Sequence, residues 1–148
     1  MKHIVERGTG REIAVGKIVA IGANYTDHIE EMGLKVPEKP MIFLKPSSSI
    51  LPEGEPVIYP PTGNVLHYEV ELGLVIGETA KNVTPEEGLG VFSHYLLALD
   101  MTLRDLQAEA RERGWPWSTA KGFDGACPVS QAVPLDNPST IADMPIRL

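Results

Sequence analysis

The 148-residue sequence predicts a β-rich α+β domain. Three observations lead there. Residues 66–76 (LHYEVELGLVI) alternate side chains onto two faces with a period of two, the mark of a strand. Short apolar runs at 17–23, 41–44 and 95–99 have the length of strands and end at turn formers or charges. Residues 101–113 carry helical spacing through Leu103, Leu106 and Ala110. No internal repeat, low-complexity tract or linker divides the chain, so residues 1–148 read as one domain.

The elements follow in order. The run KIVAIGA at 17–23 is a short buried strand. After Asn24 and Tyr25, Thr26 or Asp27 caps a short helix that runs through Met32 and stops at Gly33. Pro37 and Pro40 break the chain before a second strand at 41–44, which Lys45-Pro46 ends. Residues 47–61 hold four prolines and no periodicity, and read as loop. In the strand at 66–76, Leu66, Tyr68, Val70, Leu72, Leu74 and Ile76 share one face, and His67, Glu69, Glu71, Gly73 and Val75 the other. Pro85, with acids behind it, starts a helix near Thr84. A strand at 95–99 ends at Asp100, and the helix over 101–113 follows. Thr102 and Asp105 resemble a capping box for that helix, and Gly114 is its stop. Residues 115–130 read as irregular.

Composition narrows the function classes. The net charge of −7 argues against nucleic acid or an anionic membrane surface, which require clustered Lys and Arg. No stretch approaches the length of a membrane span, and residues 1–15 lack the apolar core of a signal peptide. One cysteine, Cys127, excludes an intramolecular disulfide and fits a reducing compartment. Together these indicate a soluble cytosolic protein.

Glu69 and Glu71, two apart on a strand, point the same way within reach of one ion. Carboxylates that close repel, and a hard divalent cation offsets the repulsion. Two charges on the solvated face of an edge strand explain the same pattern, and E-x-E alone does not choose. Asp100 equally suits a ligand or a helix N-cap. Zinc is disfavoured because no Cys/His set has the spacing for it. His67-Tyr68-Glu69 spells half of a deaminase H-x-E, but the matching P-C-x-x-C is absent.

Five motifs in order carry a more specific signal: G-A-N-Y-T-D-H at 22–28, F-L-K-P at 43–46 and H-Y-E-V-E-L at 67–72, then L-D-M-T-L-R-D at 99–105 with Gln107, and W-S-T-A-K at 117–121. Together they resemble the fumarylacetoacetate hydrolase family, in particular its small acylpyruvase-like and oxaloacetate decarboxylase-like branch. The resemblance implies a mixed-sheet β-roll. It also implies a divalent metal on Glu69, Glu71 and Asp100: Mg²⁺ foremost, Mn²⁺ as an alternative, Ca²⁺ possible in a crystal. The implied substrates are small oxo acids with a pyruvate-like end. The implied reactions are cleavage of a carbon–carbon bond, decarboxylation, or keto/enol isomerisation, all through a stabilised enolate. Isomerisation of unsaturated hydroxy-dioic acids is the alternative within the same chemistry, and a non-catalytic metal-binding fragment the alternative outside it. Homodimerisation is expected from the same resemblance.

The remaining roles follow from it too. His28 and Glu31, three apart on a predicted helix, form the proton-handling pair. Arg104 in the first helical turn opposes the helix dipole by about 0.3–1 kcal/mol, a placement that an anionic substrate group compensates; a salt bridge to Asp105 or Glu109 is the competing explanation. Gln107 is a hydrogen-bonding partner for substrate, and Lys121 a cation for a carboxylate or enolate. Lys45 is assigned to the floor of the substrate pocket, with packing of its stem as the other reading. Cys127 reads as a small buried side chain.

Family members continue through a Gly-rich T-G-T-P-x-G-type segment that nothing after Pro134 supplies. The β-roll is therefore expected to be incomplete at its C-terminus. Unpaired edges and an apolar patch would then favour association. The 148-residue chain by itself is expected to be poorly stable and weakly active. A soluble monomer that unfolds cooperatively with full activity, measured by sedimentation, urea titration and turnover, would refute this.

Overall fold

The computed structural model describes residues 2–25 and 37–148. The helix expected to follow Tyr25 lies outside them, as do His28 and Glu31.

The chain opens with a hairpin that the sequence reading left unassigned. β1 (Lys2–Val5) and β2 (Glu12–Val15) pair antiparallel, Ile4 opposite Ile13. Gly8 and Gly10 make the connection at φ 88° and 71°, backbone geometry that residues with a Cβ rarely adopt. A second antiparallel hairpin joins β3 (Lys17–Gly22) to β4 (Met41–Pro46). Both strands fall near where the apolar runs place them, but β3, expected to be buried, exposes every second residue. On one face the cross-strand pairs Val19–Leu44 and Ile21–Ile42 are exposed, from 45% to 63%.

The larger sheet is organised around β8 (Phe92–Leu99). β7 (Val70–Ile76) lies antiparallel along β8, as do short β10 (Cys127–Val129) and β11 (Val133–Pro134). β5 (Ile50–Pro52) joins β10 in parallel, so the sheet is mixed. A two-residue ladder pairs β6 (Leu66–His67) with β9 (Thr102–Leu103). The helices are short: α1 (Pro85–Gly90), α2 (Arg104–Arg113) and α3 (Ser118–Lys121). The β-rich α+β class and the mixed sheet therefore stand.

Two local expectations are corrected. The strand at 66–76 is not continuous: its first two residues pair with β9, and from Val70 the chain pairs with β8. The change of partner falls at Tyr68 and Glu69, just before β7 begins. The capping box at Thr102 is absent. Thr102 is a fully buried strand residue whose hydroxyl donates to the Asp100 carbonyl, and α2 begins at Arg104 without a side-chain cap. Asp105 instead accepts from the Asn64 backbone at 2.8 Å. Elsewhere, the segment read as loop holds β5, the segment read as irregular holds α3 and β10, and β8 begins at Phe92, earlier than the apolar run. Thr84 and Glu87 form a true capping box on α1, and Gly114 closes α2 at φ 66°.

Ile4, Ile50, Leu96, Cys127, Val129 and Ala132 form the core, so the first hairpin packs on the central sheet. Backbone bonds fasten it there, Arg7 N–H to the Ala132 carbonyl and Ala132 N–H to the Val5 carbonyl, each 2.8 Å. At this junction the buried Glu6 carboxylate accepts from Thr9 at 2.7 Å and Arg11 at 2.5 Å, and stands 2.9 Å from His94 Nε2. These bonds, Thr9's foremost, lower the Glu6 pKa from 4.5 to about 2. A carboxylate depressed in the folded state stabilises the fold above its unfolded pKa, and that stabilisation is lost as pH falls. Urea titrations should therefore show wild type losing stability between pH 4.5 and about 2 more steeply than Glu6→Gln. Parallel pH profiles would show that Glu6 does not couple to folding.

Candidate metal and oxo-acid site

The residues singled out in the sequence converge where β7 and β8 meet, apart from the two outside the described region. Glu69 stands at the break before β7 and Glu71 on β7 itself. Asp100 follows β8 and is tied to the break by its N–H on the Glu69 carbonyl at 2.8 Å. Arg104 opens α2, and Lys121 closes α3. Three carboxylates thus meet three cations, two of which are almost wholly withdrawn from water.

Lys121, 3% exposed, places its ammonium 3.1 Å from Glu69 Oε2 and 2.5 Å from Asp100 Oδ2. The same ammonium lies 5.0 Å from the centre of the Phe43 ring, which packs edge-on against Trp117. Arg104 pairs with the other Glu69 oxygen and donates to Gln107 Oε1 at 2.8 Å. Its partner is therefore Glu69, not the Asp105 or Glu109 considered from sequence. Glu109 pairs with Arg113 at 3.1 Å instead.

Lys45 is 1% exposed and lies beneath the carboxylates. Its three N–H groups meet the carbonyls of Met101 (3.2 Å), Lys121 (2.5 Å) and Ala126 (3.0 Å). Its Nζ stands 2.7 Å from Asp100 Oδ1. Burial pulls its pKa below the ordinary lysine range, against the attraction of Asp100. This corrects the expectation that Lys45 holds substrate: an ammonium with every proton committed has none to offer a ligand.

The same commitment leaves Asp100 Oδ1 buried without a directed hydrogen bond. Glu71 shows the strain on the cluster more plainly. Burial, then the charges of Asp100 and Glu69, push its pKa up to about 7, while Tyr25 and Lys121 pull the other way. A carboxyl whose pKa is raised on folding costs stability as pH rises from 4.5 towards about 7. Glu69 goes the other way: burial opposes its charge, but Lys121 and Arg104 outweigh that and hold it below the usual range.

Among the described residues, no three Asp, Glu, His or Cys side chains stand at metal-coordinating spacing. Lys121 lies between two of the expected ligands. The chemistry of the donor set nevertheless suits a hard divalent ion. All three groups are carboxylates, and burial with the charges of Asp100 and Glu69 resists ionisation of Glu71.

One contributor went unassigned in the sequence. Tyr25 lies near enough to Glu71 and the Leu72 backbone for both to bear on its phenol, whose pKa is raised chiefly by burial. Its only sequence signal was membership of the G-A-N-Y-T-D-H motif, since periodicity does not reach across to β7. Cys127 is buried, and burial pushes its thiol pKa up to about 11, so it is no nucleophile. A groove of about 620 Å³ lined by Leu72, Tyr95, Leu97 and Pro145 contains none of the sequence-selected residues.

Comparison with known proteins gives concordant results. The chain is 46% identical over 121 residues to the mitochondrial oxaloacetate tautomerase fahd-1 of Caenorhabditis elegans, a match covering 82% of this chain and 56% of the relative. It is 44% identical over 121 residues to the mitochondrial oxaloacetate decarboxylase of Dictyostelium discoideum, covering 81% and 56%. The chain thus spans about half the length of the curated relatives it matches. Among solved structures, the fumarylpyruvate hydrolase of Pseudomonas aeruginosa in complex with Mn²⁺ and pyruvate superposes with a TM-score of 0.84 at 30% identity, covering 97% of this chain and 62% of that one. The mitochondrial relatives overturn the cytosolic placement drawn from composition. A lone cysteine indicates a reducing environment and does not choose among the compartments that provide one. The family model described as fumarylacetoacetate hydrolase C-terminal matches residues 17–148, and the chain belongs to that family.

Proposed function

We propose that the protein is a divalent-metal-dependent enzyme acting on acylpyruvate-like or oxaloacetate-like oxo acids by carbon–carbon cleavage or decarboxylation. The observation that carries this reading is the convergence of Glu69, Glu71 and Asp100 with Arg104 and Lys121 at one end of β7 and β8. The relatives support it: one is named for oxaloacetate decarboxylation, and a structural neighbour holds Mn²⁺ with pyruvate.

In this reading Glu69, Glu71 and Asp100 hold Mg²⁺ or Mn²⁺. When bound, the ion supplies a Lewis acid for the oxygens of a 2-oxo carboxylate. The chain's own groups do the rest. Arg104, steadied by Gln107, presents a planar cation to the substrate's carboxylate. Lys121, whose ammonium lies beside the Phe43 ring, would offset charge developing on an enolate oxygen. Lys45 keeps Asp100 in place from below. His28 with Glu31 accepts and returns the proton, a role resting on the family motif alone. Oxaloacetate keto/enol isomerisation is the second reading, favoured by the tautomerase name of the Caenorhabditis elegans relative. It uses the same residues and omits bond cleavage. The mitochondrial names of the relatives support a mitochondrial setting.

Oxaloacetate or acylpyruvate turnover should disappear with EDTA and return with Mn²⁺, and Asp100→Asn should lower kcat/KM by about 100-fold or more. Activity surviving complete metal removal overturns the reading; calorimetric Mn²⁺ binding without turnover identifies a non-catalytic metal-binding fragment.

Arg104→Lys keeps the charge but loses the fork. Its KM for oxo acid should rise by about 10-fold or more with kcat changed less. An unchanged KM would remove Arg104 from the substrate site.

A further inference from the structure

His67 belongs to the H-Y-E-V-E-L motif, of which the metal reading uses only the glutamates. The fold gives its imidazole a partner. β6 and β9 pair Leu66 with Leu103 and His67 with Thr102. Arg104 N–H donates to the Val65 carbonyl at 2.8 Å, which carries the same register one pair further. Arg104 therefore stands two positions from the residue opposite His67. Such diagonal neighbours lie about 7–8 Å apart across an antiparallel pair, within reach of long side chains.

The side chains close that gap. Arg104 Nε–H donates to His67 Nδ1 at 3.5 Å, the long end of the hydrogen-bond range. Its Nη1 donates to Gln107 Oε1 at 2.8 Å, and its Nη2 to Glu69 Oε1. Each guanidinium nitrogen thus has its own acceptor, one on β6, one on α2 and one at the break before β7. Gln107 and Glu69 alone would define an axis through the two terminal nitrogens, about which the planar group could tilt. The third contact, at Nε, fixes the plane. A guanidinium has five N–H groups, so these bonds leave one on each terminal nitrogen. That pair is the fork a carboxylate takes in bidentate fashion. The Arg104 side chain is 21% exposed, so the fork is open to a ligand. The contact also fixes the imidazole. Arginine donates and never accepts, so Nδ1 is bare and Nε2 carries the proton.

We propose that His67 is a positioning residue for substrate recognition: its Nδ1 fixes the plane of the Arg104 guanidinium, and with it the direction of the fork presented to the carboxylate of an oxo acid. The proposal rests on the oxo-acid reading above and deepens it. In this role His67 touches neither ion nor substrate. Its effect passes through Arg104.

The contact is tested first in the ligand-free protein at about pH 8, where an ordinary imidazole is neutral. The imidazole ¹⁵N shifts should report the Nε2–H tautomer for His67, and its Nδ1 resonance should move in Arg104→Lys. The Nδ1–H tautomer, or a resonance indifferent to residue 104, overturns the proposal without reference to catalysis. The role is tested by oxaloacetate turnover with Mn²⁺. His67 is exposed, so His67→Ala opens no core cavity. It should raise KM about 5- to 10-fold with kcat changed less. His67→Asn, whose side-chain oxygen can accept in place of Nδ1, should recover most of the loss. In an Arg104→Lys background, which has no Nε–H, His67→Ala should raise KM no further. An unchanged KM in His67→Ala, an equal fall in kcat, or no recovery in His67→Asn overturns the positioning role and leaves the oxo-acid reading standing. Should His67→Ala fail to fold, the tautomer and a near-wild-type KM in His67→Asn decide. Wild type that neither turns over nor binds oxaloacetate with Mn²⁺ removes the oxo-acid reading and the positioning role with it.

Discussion

A lysine ammonium removed from water organises the site end of this protein. Lys45 leaves β4 and directs its N–H groups to carbonyls beside Asp100, at the end of α3 and before β10, with the Asp100 carboxylate 2.7 Å away. Burying such a cation carries a desolvation penalty of several kcal/mol, repaid only if geometry and hydrogen bonding are both good. Here three segments distant in sequence must arrive together to supply the acceptors. The carboxylates rest on that arrangement, and the second buried lysine, on α3, reaches them because its own carbonyl is held by the first.

The electrostatic design is one of incomplete neutralisation. Glu69 is satisfied by Arg104 and Lys121, while Glu71, a strand position further on, remains crowded by like charge. Natural folds tolerate such frustration mainly where chemistry is done. It separates the cluster here from the Glu6–Arg11–His94 group. That group has similar residue types, but its acid is fully hydrogen-bonded and deeply stabilised, and it reads as structure.

Much of this was legible in the sequence, unevenly. Strands β3, β4, β7 and β8 and the start of α1 follow from local patterns: apolar runs of strand length, alternation, a Thr-Pro cap. The split of 66–76 was hidden because alternation specifies side-chain direction and is silent on which strand is the partner. Thr102 misled for a related reason: a cap-forming residue followed by an acid looks the same whether the hydroxyl faces a helix end or a buried carbonyl. The first hairpin went unseen because its arms are four residues each, too short for a clear alternation, although Gly8 and Gly10 marked its turn. For the site, the motifs selected residues that the fold brings together, but Lys45's saturation is a fact of tertiary geometry. No spacing in the chain encodes it.

The parallel pairing of β5 with β10 carries a consequence for how the molecule comes into being. Ile50 lies beside Cys127, and Lys45 bonds the Lys121 carbonyl, so the contacts that set Asp100 in place close loops of more than seventy residues. Loop closure at that distance is paid in chain entropy before any contact returns it, and topologies of this kind fold slowly. The two local hairpins and the β7–β8 pair can form early, bringing Glu69 and Glu71 together while the lysines that restrain them are still far away. During that interval the nascent carboxylate cluster repels itself. A cation captured at this stage would act as a folding ligand, and the order of assembly, not only the finished geometry, would couple the ion to the fold.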